Sequence, residues 1–186
     1  MTHICFSGGA LGSDHTWGLM AEDRGHDLIH FTFSGHKSVD PAHSKKLSGL
    51  ELDDAELAVK NAAKSMKRRW PSQNEHVNNL LRRNYFQVRW SERVYAVANR
   101  VEDNSVLGIS GGTAWACQMY VDRWYSGRDL TECELYLFDM VSNKWMQWWE
   151  TWREIDSPPI PHGRYAGIGS REITDAGVAA IFHVYG

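Results

Sequence analysis

Cysteine is scarce in this sequence, and its pattern excludes the common cysteine-based sites. The three cysteines, Cys5, Cys117 and Cys133, lie far apart and form no Cys-x-x-Cys pair. Their odd number and the absence of a signal-peptide pattern predict reduced, buried thiols in a cytoplasmic protein. The nine histidines form no His-Glu-x-x-His motif and no paired ligand spacing. The sequence therefore predicts no metal centre, and no cofactor is expected.

The sequence also lacks long apolar runs and an excess of either charge. Its apolar runs are too short to span a bilayer, so no membrane association is expected. Lysine and arginine number 20 against 23 aspartates and glutamates, which gives a net charge of −3. This balance argues against a protein built to hold duplex DNA or a membrane surface, so an anionic ligand needs a local site. The length predicts one domain over residues 1–186.

A glycine-rich turn lies close to the start of the sequence. The apolar run at residues 4–6 stops at Ser7-Gly8-Gly9, and a helical pattern follows. In a strand–turn–helix unit, glycines let backbone amides approach an anion, and the helix N-terminus adds partial positive charge. Asp14 is placed to cap that helix or to accept a hydrogen bond from a sugar hydroxyl. An ordinary strand-to-helix turn is the alternative, and a single motif leaves it open.

Similar turns recur farther along the chain. The apolar run at residues 106–109 meets Ser110-Gly111-Gly112-Thr113 before a helix of small and apolar residues. A short predicted strand from Arg164 enters the turn Gly169-Ser170-Arg171-Glu172. Two strand–Ser-Gly-Gly–helix units in one small domain favour a ligand site over an incidental turn.

Strand and helix patterns alternate along the rest of the chain. Further strands are predicted over residues 27–33, 93–98 and 134–138, with an extended segment at 145–152. Helices are predicted over residues 53–69, about 74–88 and 174–184, with an irregular or helical insertion at about 38–75 and a proline-rich linker at 157–163. This alternation predicts an α/β fold with a mostly parallel sheet and helices on both faces. Loops at the carboxyl ends of its strands then converge on one crevice.

Several side chains outside the glycine turns are also candidates for ligand contact. His36 and Lys37 follow the second strand, where ligands collect in an open α/β sheet, although for either residue alone a solvated loop is the favoured explanation. Arg83 and Asn84 lie on a predicted helix, where a guanidinium can bind phosphate or simply form a basic face. A dense group of tryptophans suggests a subunit interface, hence a homodimer or tetramer, or a lid over a planar ligand: Trp145, Trp148, Trp149 and Trp152.

The glycine turns resemble motifs of the SLOG superfamily, the Rossmann-like group that joins the DNA-processing protein A fold with the Lonely Guy cytokinin-activating enzymes. Residues 7–14 are similar to its SGGAxGxD loop, and residues 169–172 are similar to a GSR turn that ordinarily comes first in such domains. Because that turn comes last here, the chain resembles a circularly permuted, bacteriophage-encoded member. The segments 111–116 and 138–145 are similar to the GGTxWA helix and the Phe-Asp…Trp segment of such proteins.

The resemblance implies a nucleotide-type ligand. Lonely Guy enzymes use the glutamate of a PGGxGTxxE motif to hydrolyse an N-glycosidic bond, and Gln118 stands at that position here. An amide cannot act as a general acid or base, so binding without chemistry is expected. A phage protein of this kind could sequester a host immune signal, such as cyclic ADP-ribose or a cyclic nucleotide, in the host cytoplasm. The residues expected to contact the ligand are Ser7, Gly8, Gly9, Ser13, Asp14, His36, Arg83, Asn84, Ser110, Gly111, Gly112, Thr113, Gly169, Ser170, Arg171 and Glu172.

Other functions remain open from the sequence. A nucleotide phosphoribohydrolase or transferase would use Asp14 and Glu172 as its catalytic carboxylates. Single-stranded nucleic-acid binding, by analogy with DNA-processing protein A, is disfavoured by the acidic net charge. A domain whose glycine turns only shape its loops is the remaining alternative.

Overall fold

A single mixed sheet carries the fold. In a computed structural model, which describes residues 2–103, 105–127 and 132–186, the sheet has eight strands in the order β3-β2-β1-β8-β4-β5-β6-β7. The strands are β1 Ile4–Ser7, β2 Asp27–Phe33, β3 Ser44–Leu47, β4 Arg93–Ala98, β5 Glu134–Asp139, β6 Lys144–Trp148, β7 Trp152–Ile155 and β8 Arg164–Gly169. The six strands from β3 to β5 run parallel, and β6 and β7 add an antiparallel hairpin at one edge.

The last strand of the chain lies in the middle of the sheet. β8 pairs with β1, where Ile4 is opposite Arg164, and with β4, where Arg93 is opposite Tyr165. All three strands point the same way, so the segments that follow them leave the same edge of the sheet side by side. The N-terminal and C-terminal glycine turns are thereby brought together.

Helices cover both faces of the sheet, which confirms the predicted α/β, Rossmann-like architecture. They are α1 Ser13–Asp23, α2 Gly49–Asp54, α3 Glu56–Ser65, α4 Glu75–Val88, α5 Gly111–Tyr125 and α6 Asp175–Tyr185. On one face, Trp17 of α1 and Ile181 of α6 are fully buried in the same apolar cluster as Tyr95. On the other face, α2 to α5 bury Val59 and Phe86 in a second cluster. Neighbouring strand residues therefore serve opposite cores, as the pleat requires.

Three local predictions are wrong in extent or type. Residues 106–109 form no strand, because Gly108 has a φ of 55°, and Ile109 makes only an isolated bridge with Arg100. The predicted helix over 53–69 is two helices, α2 and α3, and it ends before Lys67, which takes a left-handed φ of 55°. The segment 38–75, predicted as an irregular or helical insertion, contains the helices α2 and α3 and also the edge strand β3, which the sequence does not predict.

The tryptophan cluster divides between core and surface. Trp145 and Trp148 of β6 are buried, whereas Trp149 is 55% exposed. Trp152 Nε1 donates a hydrogen bond of 2.7 Å to the Leu107 carbonyl, which fixes the hairpin against the loop after β4. Trp145 and Trp148 therefore form part of the core, Trp152 holds this loop, and Trp149 remains on the surface. In the described part of the chain, no helix combines the length and apolarity needed to cross a bilayer.

Candidate functional site

A cleft of about 760 Å³ opens at the carboxyl edge of the sheet, where the segments after β4 and β8 meet α4 and α5. Most of the sequence-predicted site residues line it: Asp14, Arg83, Asn84, Ser110, Gly111, Gly112, Thr113, Gly169, Ser170, Arg171 and Glu172. Five others do not line it: Ser7, Gly8, Gly9, Ser13 and His36. The three glycine turns thus meet around one space, although the first contributes only part of its predicted residues.

The first glycine turn surrounds a buried ion pair. Arg83 Nη1 lies 3.6 Å from Asp14 Oδ2, and both side chains are at least 93% buried, with exposed fractions of 6% and 7%. The backbone amides of Gly8, Ala10 and Gly169 also hydrogen-bond to the Asp14 carboxylate. Asp14 makes no side-chain cap of α1, so that predicted alternative is wrong. The backbone amides around the first glycine turn therefore already bind a carboxylate of the protein itself.

Burial and mutual attraction shift the pKa values of Asp14 and Arg83 in opposite directions. Burial raises the pKa of Asp14, while the Arg83 charge and the three amides counteract that rise. Burial also lowers the pKa of Arg83, against the attraction of Asp14. Arg83 Nε is buried and has no hydrogen-bond partner in the described residues. A guanidinium keeps its charge in proteins, so the floor of the cleft carries a cation whose hydrogen-bonding capacity is only partly used.

The serines and glycines of the first turn hold the loops together. Ser7 Oγ donates to the Asp14 carbonyl at 3.2 Å, and Ser13 donates to the Ser170 carbonyl from both its amide (3.1 Å) and its hydroxyl (2.9 Å). A Cβ atom at Gly8 would lie 1.5 Å from Arg83 Nη1, so only glycine fits there. Gly9 accepts a hydrogen bond of 3.0 Å from the Val39 amide. These four predicted ligand residues have structural contacts instead.

The second glycine turn is open. Gly111 and Gly112 are exposed, and a Cβ atom at Gly112 would meet only Asn84 Nδ2, at 3.7 Å. Asn84 Nδ2 donates a hydrogen bond of 3.0 Å to the Gly112 carbonyl, so Asn84 holds the turn in place. Among the residues that the structure describes, no side chain caps α5, whereas Ser48, Asn74 and Thr174 cap α2, α4 and α6. The first amides of α5 therefore face the cleft without a capping partner, which is the arrangement that binds anions.

Positive charge dominates the cleft. Four arginines, Arg68, Arg69, Arg83 and Arg171, line it with two carboxylates, Asp14 and Glu172. Arg68 is paired with Asp103 at 2.9 Å. Arg69 and Arg171 are exposed, and within the described ranges neither forms an ion pair. The two unpaired guanidiniums are thus available to an anionic ligand.

Two tryptophans form an apolar wall of the same cleft. The rings of Trp70 and Trp115 have centroids 6.0 Å apart at an interplanar angle of 57°. Trp70 is fixed by a 2.8 Å hydrogen bond from Nε1 to Glu56 Oε1 and by Arg82, whose Cζ lies 5.5 Å from its ring centre. An aromatic wall beside an anion site suits a ligand with a planar group.

Sequence reasoning missed Arg68, Arg69 and Trp70. They lie in the segment 38–75 that was interpreted as an insertion, and the fold brings them back over the cleft. The one sequence signal was the run Arg68-Arg69-Trp70 itself, since adjacent basic and aromatic residues are typical of nucleotide and nucleic-acid contacts.

Two predicted positions lie apart from the cleft wall. Burial, together with the charges of Arg83 and Arg171, lowers the pKa of His36 to about 4. His36 stacks on Phe33 with a centroid distance of 5.4 Å, so it lies near the arginines without lining the cleft. Gln118 is buried, and its Nε2 donates a 2.8 Å hydrogen bond to Asp122. The position of the hydrolytic glutamate in the resemblance is therefore occupied by a side chain packed inside the protein.

Comparisons with known proteins leave the chain without an assigned relative. No protein-family model matches the sequence, and no curated protein or solved structure matches it. The resemblance to the SLOG superfamily therefore remains a prediction that rests on the motifs.

Proposed function

We propose that the cleft binds a nucleotide-derived small molecule and holds it without cleaving it. The observation that carries this proposal is the uncapped N-terminus of α5, which opens with Gly111 and Gly112 into a cleft containing the unpaired Arg171. Uncapped amides and a helix dipole favour a phosphate, and a guanidinium adds a planar pair of donors. Arg83, in the floor of the cleft, adds a second positive charge that attracts the phosphate.

The cleft also suits the rest of a nucleotide. Its volume of about 760 Å³ is within the range of small-molecule sites. The partly exposed Trp70, with the buried Trp115 behind it, offers an aromatic surface to a base, and Glu172 offers a carboxylate to ribose hydroxyls. Base stacking on an aromatic side chain is worth roughly 1–3 kcal/mol. The phosphate, sugar and base of a nucleotide can therefore each contact a chemically suitable group in the cleft.

Binding without chemistry is favoured by the state of the carboxylates. Asp14 is committed to Arg83 and to three backbone amides, which leaves it poorly suited to transfer a proton or stabilise a sugar cation. Gln118 lies outside the cleft. A phosphoribohydrolase is the second candidate, because both Asp14 and Glu172 line the same space. Hydrolysis would need Asp14 to separate from Arg83.

The motif resemblance extends this proposal to a biological role. A phage-encoded protein that holds such a ligand intact would remove a host immune signal of the cyclic ADP-ribose or cyclic nucleotide type from the host cytoplasm. The exposed Trp149 supports assembly into a homodimer or tetramer. Light scattering of the purified protein measures that assembly, and a monomer at all concentrations would remove this part of the proposal.

Calorimetry followed by chromatography tests the function. Cyclic ADP-ribose isomers, cyclic dinucleotides and NAD are each titrated into the protein, and the released compound is then analysed. At least one compound should bind tightly and be recovered intact. Free base in the eluate would establish hydrolysis instead, and no binding across the panel would refute the proposal.

A matched pair of variants locates the phosphate. Gly112→Asp places a negative charge in the open turn, and Gly112→Asn adds nearly the same volume without charge. Gly112 has room for a side chain, so both variants should fold. We expect Asp to weaken binding at least about tenfold more than Asn, because like charges repel in a partly buried site. Equal effects would show that the phosphate lies elsewhere.

A further inference from the structure

A second group of chemically active side chains lies on the other side of the first glycine turn. Glu22 of α1 and the loop residues Asp40 and His43 each place one ligand atom within 4.8 Å of the other two. His43 Nδ1 lies 2.8 Å from Asp40 Oδ2 and 3.4 Å from Glu22 Oε1. Glu22 is far in sequence from Asp40 and His43, so the sequence shows no sign of the cluster.

A buried histidine points to a ligand at this cluster. His30 of β2 is fully buried, and neither of its ring nitrogens has a hydrogen-bond partner in the described residues. Its Nε2 lies 3.8 Å from Asp40 Oδ2, which is too far for a hydrogen bond. Buried polar atoms are almost always satisfied, so an unpartnered imidazole facing a carboxylate needs an explanation. A cation between the two groups supplies one.

Among the described residues, Glu22, Asp40 and His43 place their ligand atoms within 4.8 Å of one another, and His30 lies beside this group, 3.8 Å from Asp40 Oδ2. Zinc binds histidine nitrogen and carboxylate oxygen at roughly 2.0–2.2 Å, so tetrahedral ligand atoms lie about 3.4 Å apart. The separations of His43 Nδ1 from Asp40 and Glu22, 2.8 and 3.4 Å, suit one ion, and the partly exposed side chains of Glu22 and His43 must turn towards His30 before all four residues can share it. Two imidazoles with two carboxylates form a donor set that suits Zn²⁺ better than Mg²⁺ or Ca²⁺, which prefer oxygen ligands alone.

We propose that Glu22, Asp40 and His43 form a binding site for Zn²⁺, and that His30 becomes its fourth ligand when the partly exposed side chains of Glu22 and His43 turn towards it. The metal ion would join α1 to the connection between β2 and β3. That connection also contacts the first glycine turn, since the Val39 amide donates to the Gly9 carbonyl at 3.0 Å. The site is thus placed to stabilise the loop on which the buried Asp14–Arg83 pair rests.

Zinc titration of chelator-treated full-length protein tests the site. We expect one Zn²⁺ per chain by calorimetry, an increase in the unfolding temperature with Zn²⁺, and the visible absorption of tetrahedral Co²⁺ when cobalt replaces zinc. Glu22→Gln, Asp40→Asn, His43→Ala and His30→Gln should each weaken Zn²⁺ binding at least tenfold. Glu22 and His43 are partly exposed, so their variants keep the test valid if the His30 variant does not fold.

Matched controls exclude nonspecific metal binding. His183→Ala and Glu150→Gln remove an exposed histidine and an exposed carboxylate outside the cluster, and both should bind Zn²⁺ like the unaltered protein. Absence of stoichiometric binding, or equal losses in ligand and control variants, would overturn the proposal. NAD is titrated in the same buffers by calorimetry. Zn²⁺ binding and nucleotide binding are thereby measured independently, so failure of one proposal can be distinguished from failure of the other.

Discussion

The two Ser-Gly-Gly turns have the same tripeptide but opposite surroundings. Gly8 is enclosed by Arg83 and by the Asp14 carboxylate, whereas a Cβ atom at Gly111 would have no atom within 4 Å among the described residues, apart from its chain neighbours. The helix after the first turn carries an acid in its first turn, and the helix after the second carries none. At the first turn, the Asp14 carboxylate therefore occupies the anion position at the helix N-terminus. At the second turn, the corresponding position is open to a ligand.

One helix contacts both turns through adjacent residues. On α4, Arg83 pairs with Asp14 at the first turn, and Asn84 donates to the Gly112 carbonyl at the second. The first contact joins two buried charges, and the second is a neutral hydrogen bond beside solvent. We therefore expect changes at the first turn to affect mainly stability and changes at the second to affect mainly binding.

Arg83→Met should produce the largest effect. It leaves the Asp14 carboxyl buried without its counter-charge, and breaking one side of a buried pair typically costs about 3–5 kcal/mol. Asn84→Ala removes a single neutral hydrogen bond and should cost about 1 kcal/mol. Urea unfolding of both variants measures the difference. Equal losses would contradict the contrast between the two turns.

Gly8→Ala should be the next most damaging change. Its Cβ would lie 1.5 Å from Arg83 Nη1 and 2.4 Å from Asp14 Oδ2, and burial prevents Arg83 from moving aside. We expect a loss of roughly 1–3 kcal/mol in the free energy of unfolding, as for other overpacked sites. Gly112→Ala, the matched change in the open turn, should stay within about 0.5 kcal/mol of the parent. A stable Gly8→Ala protein would show that the first turn is not closed.

Arg171→Ala should separate binding from stability. Arg171 is exposed and lines the cleft, so its removal should leave unfolding nearly unchanged. A hydrogen bond to a charged group contributes about 1.5–3 kcal/mol, so nucleotide affinity should fall at least about tenfold. Arg153→Ala, which removes an exposed arginine on β7, serves as the control in the same calorimetric titration. Equal affinities for the two variants would exclude Arg171 from the site.

The smallest expected effect is a change in the pKa of His36, which depends on the charge of the cleft. Burial and the charges of Arg83 and Arg171 lower its pKa to about 4, below the ordinary value of 6.5. Its protonation therefore favours the unfolded chain, and its contribution to stability should decrease as the pH falls from 6.5 towards 4. A bound phosphate screens the arginines, so NMR titration should find a higher pKa for His36 in the complex. An unchanged value would place the phosphate away from these arginines.

The sequence predicted regular elements well where one local signal dominates. Residues 27–33 and 93–98 are predicted strands that the structure confirms as β2 and β4 with the same bounds. The apolar run at residues 106–109 predicts a strand that does not form, because the positive φ of Gly108 ends the extended segment. The pattern of apolar residues thus predicts where a strand or helix lies better than it predicts where a residue such as glycine interrupts it.

Tertiary placement could not be predicted from local patterns. Nothing around Asp14 in the sequence shows that Arg83, on a distant helix, is its partner, and so Asp14 was assigned to capping or to a sugar. Arg69 ends the predicted helix pattern and Trp70 follows it, and nothing next to them in the sequence indicates that they face the cleft. Their position over the cleft depends on how α3 and α4 pack, which no short motif encodes.

The central claim is that the second turn, and not the first, binds the phosphate of a nucleotide. Amide chemical-shift mapping during a titration with NAD, or with whichever compound of the panel binds most tightly, tests it most directly. The account predicts large shifts for the backbone amides of Gly111, Gly112 and Thr113, with small shifts for Gly8 and Gly9. Large shifts at Gly8 and Gly9, with none at the start of α5, would contradict it.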